Sequence, residues 1–453
     1  MDRSEANYKR MTETNVSKLI LLLGLPTTIS MLVTNIYNLA DTYFVGTISI
    51  EAQAATSVLF TLQSIIQAVA FTLGIGAGTY VSKYLASKDE KTASKYVTSS
   101  FYLGILLAII LLIFGMIFLT PFMRLLGASD TALPDAKEYG MWVLISSPFM
   151  VGAFVLNNNL RFEGKAFYAM FGLVSGGLLN ILGDYIFVVV LNMGIRGAGL
   201  STAISQIISF IILVTLYIIF CQTKLHPKYI SRSFKTYFQI IRAGFPSFIR
   251  QGITAISTGV LNNLCIEYTD SATAAMGIVN RYSNFILCIG IGIGQGFQPV
   301  CAFNYQAKKY KRVKKGFLFT IIFSTIVISI VSLIGMFIPR QLIYLFNQNE
   351  SVINIGENAL RYMLIGIIFI PLVLASNMLY QSIRKSEIAS VLAMLRSGII
   401  FIPLILLLES TIGFTGIQIA QPISDVFAGI FSIPFIVYFM VKTPNEEGDL
   451  NGI

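Results

Sequence analysis

The stretch LILLLGLPTTISMLVTNIYNLADTYFVG, residues Leu19 to Gly46, decides the class of fold. It is apolar over about the 20 residues that a helix needs to cross the hydrocarbon core of a bilayer, and a short polar link follows it. Yet it carries Asp41, and an ionisable side chain inside a membrane span is costly enough to be a functional-site hypothesis by default. The stretch therefore predicts a membrane-spanning helix with a functional acid.

The composition extends this prediction to the whole chain. Of its 453 residues, 55% are hydrophobic and only 12% are charged, whereas soluble domains carry about 25% charged residues. We predict an all-α polytopic membrane protein. Its twelve predicted spans lie near 18–46, 52–82, 97–121, 138–161, 166–191, 197–221, 240–267, 272–303, 316–338, 358–383, 387–409 and 415–441.

The net charge of +10 follows the links between these spans. Lys and Arg concentrate on alternate links, as in KYLASKDEKTASK (Lys83 to Lys95) and KKYKRVKK (Lys308 to Lys315). Cytoplasmic loops collect basic residues, so both termini are expected in the cytoplasm of a cell-membrane protein. The positive charge is thus explained by topology, and nucleic acid is not an expected partner.

Catalytic and metal-binding motifs are missing from the sequence. The four cysteines, Cys221, Cys265, Cys288 and Cys301, have no metal-ligand spacing and are expected to be isolated buried thiols. The single histidine, His226, lies in a predicted cytoplasmic loop. An enzyme would need a nucleophile or metal constellation at membrane depth, so we expect neither an enzyme nor a cofactor.

The chain partly repeats itself after 220 residues. GLP at 24–26 falls on GFP at 244–246, EAQAA at 51–55 falls on SATAA at 271–275, and later glycines match with a one-residue slip. Six spans per half put both halves in the same orientation, which predicts two lobes related by a pseudo-twofold axis along the membrane normal. The predicted segments are 1–17 (cytoplasmic), 18–221 (first lobe), 222–239 (linker), 240–441 (second lobe) and 442–453 (cytoplasmic tail).

The first half keeps a polar cluster that the second half lacks. At the repeat offset, Asp41 falls on Leu261, and Asn180 and Asp184 fall on an apolar region. Asn180 and Asp184 are four residues apart and share a helix face, and topology places Thr202 at similar depth. This oxygen-rich set can bind a hard cation such as Na+, or its two acids can share a proton, or it can be a structural network between helices.

The second half is predicted to have its own buried charges, at Arg281, Arg396 and Asp425, which the spans place near mid-membrane. A buried acid near arginines is usually an ion pair, and the alternative is a gate or an anion contact. Pro26 lies early in the first span, where proline can kink or hinge a helix.

These segments resemble the multidrug and toxic compound extrusion (MATE) family, over about residues 15–440. The resemblance rests on four stretches: LPTTISMLVTNIYNLADTYFVG (25–46), GIGAGTYVSKYLASKD (74–89), LRFEGKAFYAMFGLVSGGLLNILGDYIF (160–187) and GIVNRYSNFILCIGIGIGQGFQPVCAFNYQA (277–307). It implies twelve helices in two lobes, and export of amphipathic, mainly cationic drugs by alternating access, coupled to H+ or Na+ antiport in a monomer.

The resemblance also implies roles for individual residues. In the DinF-like and MepA-like branches the coupling residues match Asp41, Asn180, Asp184 and Thr202. Residues around the substrate cavity match Tyr37, Tyr139 and Asn157. Another branch has acids in the seventh and tenth helices, and this chain has none there, which favours the first-lobe site.

Two other functions stay open. A flippase for a lipid-linked precursor would need a strongly cationic cavity for a pyrophosphate, which Arg250, Arg281 and Arg396 could line. A channel is disfavoured because repeated halves with kinked first helices suit rocking motions. Membrane lipid is an expected partner in every case.

Overall fold

The computed structural model describes residues 3–444, and within them every regular element is helical. Residues 1, 2 and 445–453, which belong to the predicted terminal segments, lie outside the described residues. The first eight α-helices are α1 Arg3–Glu13, α2 Val16–Gly46, α3 Ile50–Ala86, α4 Glu90–Ile117, α5 Leu119–Leu125, α6 Leu133–Phe162, α7 Ala166–Asp184 and α8 Gly194–Phe220. A π-helical segment, Tyr185–Val190, continues α7.

The second half repeats this order. Its α-helices are α9 Phe234–Ile266, α10 Asp270–Gln306, α11 Tyr310–Phe337, α12 Pro339–Tyr344, α13 Glu350–Gly366, α14 Ile370–Ser382, α15 Ser386–Met394, α16 Phe401–Ile412 and α17 Phe414–Lys442. Short 3-10 turns lie at Pro227–Tyr229 and Ile367–Phe369, and a second π-helical segment, Leu395–Ile399, joins α15 to α16.

Eleven helical stretches in the described part of the chain are long and apolar enough to cross a membrane. The remaining predicted span is α9, which is 33 residues long but more polar. It occupies the place in the repeat that α2 occupies in the first half. Several helices extend beyond their predicted spans. The spans were drawn from runs of apolar residues, and ends such as 83–86 continue the helix outside such a run. The prediction of an all-α polytopic membrane fold is confirmed.

The chain forms two compact units. Among the described residues, the first comprises 3–13 and Leu25–Phe248, and the second comprises Thr14–Gly24 and 249–444. In the first unit, α6 packs against α3, α4, α5, α7 and α8 and is its central helix. In the second unit, α10 packs against α11, α13 and α14, and α17 packs against α13, α14 and α16.

Glycines allow the closest helix contacts in each unit. In the first unit, a Cβ on Gly76 would lie 2.0 Å from the carbonyl oxygen of Ile240, and a Cβ on Gly244 would lie 1.8 Å from that of Thr72. In the second unit, a Cβ on Gly296 would lie 2.4 Å from the backbone of Gly24. These positions correspond under the repeat, and only glycine permits such backbone approach.

Side-chain hydrogen bonds also recur at equivalent positions of the two halves, which confirms the internal duplication. Asn157 Nδ2 donates to the carbonyl oxygen of Ala169 at 2.8 Å, and 220 residues later Asn377 Nδ2 donates to that of Ala389 at 2.6 Å. Helices α3 and α10 begin with equivalent side-chain caps, in which Ser49 and Thr269 accept from the backbone N–H three residues on.

Candidate cation site and buried charges

Four helices of the first unit bring the predicted polar side chains together. Asp41 comes from α2, Tyr139 from α6, Asn180 and Asp184 from α7, and Thr202 from α8. Asp184 is fully buried, Tyr139, Asn180 and Thr202 are also buried, and Asp41 is half-buried. The sequence predicted a similar depth for Asp41, Asp184 and Thr202, and the packing of the first unit puts all five side chains in one cluster.

A chain of hydrogen bonds connects four of the five side chains. Tyr139 donates its hydroxyl proton to Asp41 Oδ1 at 2.9 Å, and its oxygen lies 3.0 Å from Thr202 Oγ1. Asn180 Nδ2 donates to Thr202 Oγ1 at 3.3 Å. Because the Tyr139 hydroxyl donates its one hydrogen to Asp41, the Thr202 hydroxyl is the donor in the hydrogen bond between Thr202 and Tyr139. The hydroxyl and amide donors of the chain therefore all point towards Asp41.

Three buried oxygens in the cluster have no hydrogen-bond partner among residues 3–444. They are both carboxylate oxygens of Asp184 and Oδ1 of Asn180. The Ser201 hydroxyl lies beside Asp184, but it donates to the main-chain carbonyl of Asn180 at 2.9 Å. Buried polar atoms normally have partners, and leaving one without costs about 1–3 kcal/mol, more for a charged group. Carboxylate and amide oxygens are the ligands that hard cations prefer.

Charge and backbone geometry single out Asp184. It is close enough to Asp41 for their charges to interact. It is also the last residue of α7, directly before the π-helical segment Tyr185–Val190. Single-turn π-helical segments occur often at functional sites, because they alter the register in which side chains leave a helix. Close packing at Gly183, where a Cβ would lie 2.5 Å from Ser201 Oγ, keeps α7 against α8.

The other residues predicted for the cavity have mixed surroundings. Tyr37 packs on α7, where a Cβ on Gly177 would lie 2.8 Å from its ring. Asn157 is buried with its amide bound to the Ala169 backbone, as already described. Pro26 lies within the continuous helix α2, next to the residue at which the compact units divide that helix.

In the second unit, two of the three predicted buried charges form an ion pair. Arg396 Nε donates to Asp425 Oδ1 at 2.7 Å, and Gln421 Nε2 donates to the same oxygen at 2.7 Å. The side chain of Asp425 is 0% exposed and that of Arg396 is 14% exposed. The description of Arg281 as buried is wrong, because Arg281 is exposed on α10. Its position near mid-span does not determine which way its side chain points.

Sequence reasoning missed Ser201, Gln421 and a buried acid at the end of α6. Glu163 lies outside the membrane-spanning segments and accepts from the backbone N–H of Gln222 at 2.8 Å, from Tyr217 at 3.2 Å and from Thr223. Burial raises the pKa of Glu163 above its ordinary value, and the hydrogen bonds from Thr223 and Gln222 oppose the shift. Its position directly after a span, in RFEGK, was the only available signal.

The first-unit cluster is built from oxygen-bearing side chains. In the described part of the chain, no group of three or more His, Cys, Asp or Glu side chains could hold a metal ion. The cluster instead combines two carboxylates with amide and hydroxyl oxygens. Oxygen atoms of this kind can ligate a hard cation, and two nearby carboxylates can share a proton.

A helical membrane transporter is the class of protein that this fold and cluster define. The MatE family model matches residues 26–186 and 244–407, more than half of the chain, and the chain therefore belongs to the MATE family. The family predicted from sequence motifs is thus confirmed, and the chain is a transporter and not an enzyme.

Similar proteins agree with this assignment. Multidrug export protein MepA of Staphylococcus aureus is 26% identical over 430 residues, which cover 94% of each chain. The protein of the same name from Staphylococcus saprophyticus is 24% identical over 436 residues, covering 94% of this chain and 95% of that protein. Among solved structures, an outward-facing multidrug resistance MATE transporter superposes with a TM-score of 0.89 at 24% identity, covering 96% of this chain and 98% of the other.

Proposed function

We propose that this chain is a cation-coupled antiporter that exports amphipathic organic compounds by alternating access, driven by inward movement of Na+ or H+. The observation that carries the proposal is the set of three buried oxygens without partners at Asn180 and Asp184. A site that binds its cation only transiently must keep such oxygens available. The names of the MepA relatives support export of several drugs as the activity.

In this proposal the cation binds to Asp41, Asn180, Asp184 and Thr202. Asp184 and Asn180 contribute the oxygens that lack partners, and Asp41 contributes the carboxylate that accepts a hydrogen bond from the Tyr139 hydroxyl. Binding neutralises charge that is otherwise costly at membrane depth. A proton would have the same electrostatic effect as Na+, so the residues do not choose between the two ions.

Coupling requires that cation and drug bind the two transport states with different affinity. Asp41 lies on α2 and Asp184 lies on α7, so a bound cation connects the two helices directly. We propose that this connection changes the course of α2 at Pro26, where the proline removes a helix hydrogen bond. The Tyr37 ring, which packs on α7, would then move with α2 and reshape the substrate cavity.

The exported compounds are proposed to be amphipathic and mainly cationic. The two acids of the first unit attract organic cations, and the chain contains 34 Phe, 21 Tyr and 15 Met that can line an adaptable apolar cavity. We further propose a cell-membrane monomer with both termini in the cytoplasm, in accordance with the distribution of Lys and Arg on the links.

The arginines of the second unit weigh against the lipid-precursor flippase. Arg396 is paired with Asp425 through Nε and is the one charged residue in the described lining of the second unit's cavity, and Arg250 Nη1 donates to Asn377 Oδ1 at 3.1 Å. A pyrophosphate would need several cations that are free to converge on it. The second unit does not present such a set within the described residues.

The test is ethidium export from proteoliposomes under an imposed H+ gradient and then an imposed Na+ gradient. Asp41→Asn keeps an oxygen for the Tyr139 hydroxyl but removes the charge, so gradient-driven export should fall at least tenfold. The matched control is Asp130→Asn, which makes the same change at an exposed ion pair with Arg124. Undiminished export by Asp41→Asn would refute coupling through this acid.

A further inference from the structure

The second unit contains a cavity of its own between α9, α10, α13, α16 and α17. Its empty space is about 630 Å³, including the open mouth. Hydroxyl and amide side chains such as Thr254, Ser257, Asn280 and Gln418 line it together with apolar ones such as Phe401. In the part of the chain that the structure describes, the cavity lining includes one charged residue, Arg396, and no acid.

The guanidinium of Arg396 is held so that it can bind a further group. Its Nε donates to Asp425 Oδ1. That is the only hydrogen bond of the guanidinium within the described residues, so the N–H groups of Nη1 and Nη2 can still donate. Gln421 also donates to Asp425, and Ser424 Oγ donates to the carbonyl oxygen of Arg396 at 2.5 Å. Arg396 lies in the π-helical segment Leu395–Ile399. Asp425 does not line the cavity, so the member of this ion pair that borders the cavity is the guanidinium.

The repeat shows that this cavity is the counterpart of the acidic cluster in the first unit. Leu261, which lines the cavity, stands where the first half has Asp41, and Gln421 stands where it has Thr202 once the one-residue slip is included. The first unit therefore has carboxylates in its polar cluster, whereas the described lining of the second cavity has a guanidinium. Arg396 itself falls on Gly176 or Gly177 of the first half, so the two units carry opposite charges at different positions of the repeat.

We propose that the cavity of the second unit binds the oxyanion of an amphipathic compound, a carboxylate or phosphate group, through the terminal nitrogens of Arg396. A guanidinium offers paired, parallel N–H donors that match the two oxygens of such a group. The amides and hydroxyls of the lining accept or donate further hydrogen bonds, and the apolar residues contact the body of the compound. This inference rests on the proposed export function, and it adds anionic and zwitterionic compounds to its substrates.

The test compares a fluorescent rhodamine that has a free carboxylate with its ethyl ester, which differs only at that group. Binding to the purified protein in phosphatidylcholine nanodiscs is measured by fluorescence anisotropy. The double variant Arg396→Gln/Asp425→Asn removes the pair without leaving a buried charge alone. The matched control is Arg340→Gln/Glu350→Gln, which removes an exposed ion pair of the second unit.

The double variant should bind the acid about tenfold more weakly or worse, because charge-assisted hydrogen bonds are lost, and should bind the ester nearly unchanged. The surface control should bind both dyes as the wild type does. If the double variant loses affinity equally for the acid and the ester, or loses no affinity for the acid, the proposal is overturned. Ethidium export under a cation gradient should persist in the double variant, so failure here is distinguishable from failure of the proposed coupling site.

A second variant and a lipid arm complete the test. Leu261→Asp leaves the ion pair intact and places a carboxylate in the cavity. It should therefore weaken binding of the carboxylate dye and not of its ester. Weaker binding of the ester than of the carboxylate dye contradicts the proposal. Phosphatidylglycerol added to the nanodiscs distinguishes the source of the oxyanion. Competition with the acid dye identifies a lipid headgroup as an occupant, and absence of competition identifies a small-molecule carboxylate.

Discussion

Substitution of Asp184 by Asn should stabilise the protein while it abolishes the response to the coupling ion. Asp184 is fully buried and neither of its oxygens has a hydrogen-bond partner in the described chain. An unpaired buried carboxylate carries an effective penalty of several kcal/mol. Asp184→Asn removes that charge, so the ion-free variant should unfold at a higher temperature than the ion-free wild type.

The expected size of the ion effect follows from binding linkage. A ligand at one hundred times its dissociation constant stabilises the folded state by about 2.7 kcal/mol. For a unit of roughly 150–250 residues, each kcal/mol shifts the melting temperature by about 2–4 °C. The wild type should therefore gain roughly 5–10 °C when saturated with the coupling ion, and Asp184→Asn should gain almost nothing.

The assay is thermal unfolding in detergent at fixed pH, with a Na+ titration in a choline background, and then a pH titration without Na+. Asp130→Asn is the control, because it changes an exposed acid in the same way. A variant at Asp184 that still shows the full ion-dependent shift, or that is strongly destabilised without the ion, would refute the reasoning from partnerless oxygens.

Three further predictions concern packing and polar contacts. Gly244→Ala should reduce stability by at least about 1–3 kcal/mol, because its Cβ would meet backbone 1.8 Å away, whereas Gly252→Ala on the same helix has open space and should be neutral; equal melting temperatures would contradict this. Asn157→Ala and Asn377→Ala should each lose about 1–3 kcal/mol in thermal unfolding, since both amides bind a backbone carbonyl; a loss of export confined to the first would show that Asn157 also contacts substrate. Because burial raises the pKa of Glu163 above 4.5 in the folded state, its contribution to stability falls as the pH rises through that raised pKa; Glu163→Gln should flatten the pH dependence of the melting temperature, and an unchanged slope would be inconsistent with it.

Much of the fold could be predicted because its determinants are local. Runs of about 20 apolar residues define membrane helices wherever they occur, and the 220-residue offset was visible from Gly24 and Gly244 before any contact was known. The polar cluster was also accessible, because an acid such as Asp41 in an apolar span is exceptional. The lengths of the helices were less predictable, since a helix can continue through polar residues beyond the apolar run that defines its span.

The direction in which each side chain points was not accessible. Arg281 and Arg396 both lie near the middle of a span, yet Arg281 is exposed while the side chain of Arg396 is only 14% exposed and pairs with Asp425. Likewise, the sequence did not reveal that the Asn157 amide donates to the backbone carbonyl of Ala169. Helix rotation and the identity of the neighbouring helix decide these outcomes, and neither is encoded in the hydropathy of a single segment.

The sequence by itself determined that the chain is a duplicated helical membrane protein, and it singled out Asp41, Asn180, Asp184 and Thr202, because apolar length and isolated polar residues are properties of each segment alone. Only the tertiary structure decided the order of the hydrogen bonds that end on Asp41, the absence of partners for the described oxygens of Asp184, and the direction of Arg396 into a separate cavity. Those features depend on contacts between helices far apart in the chain, and such contacts form only when the helices pack.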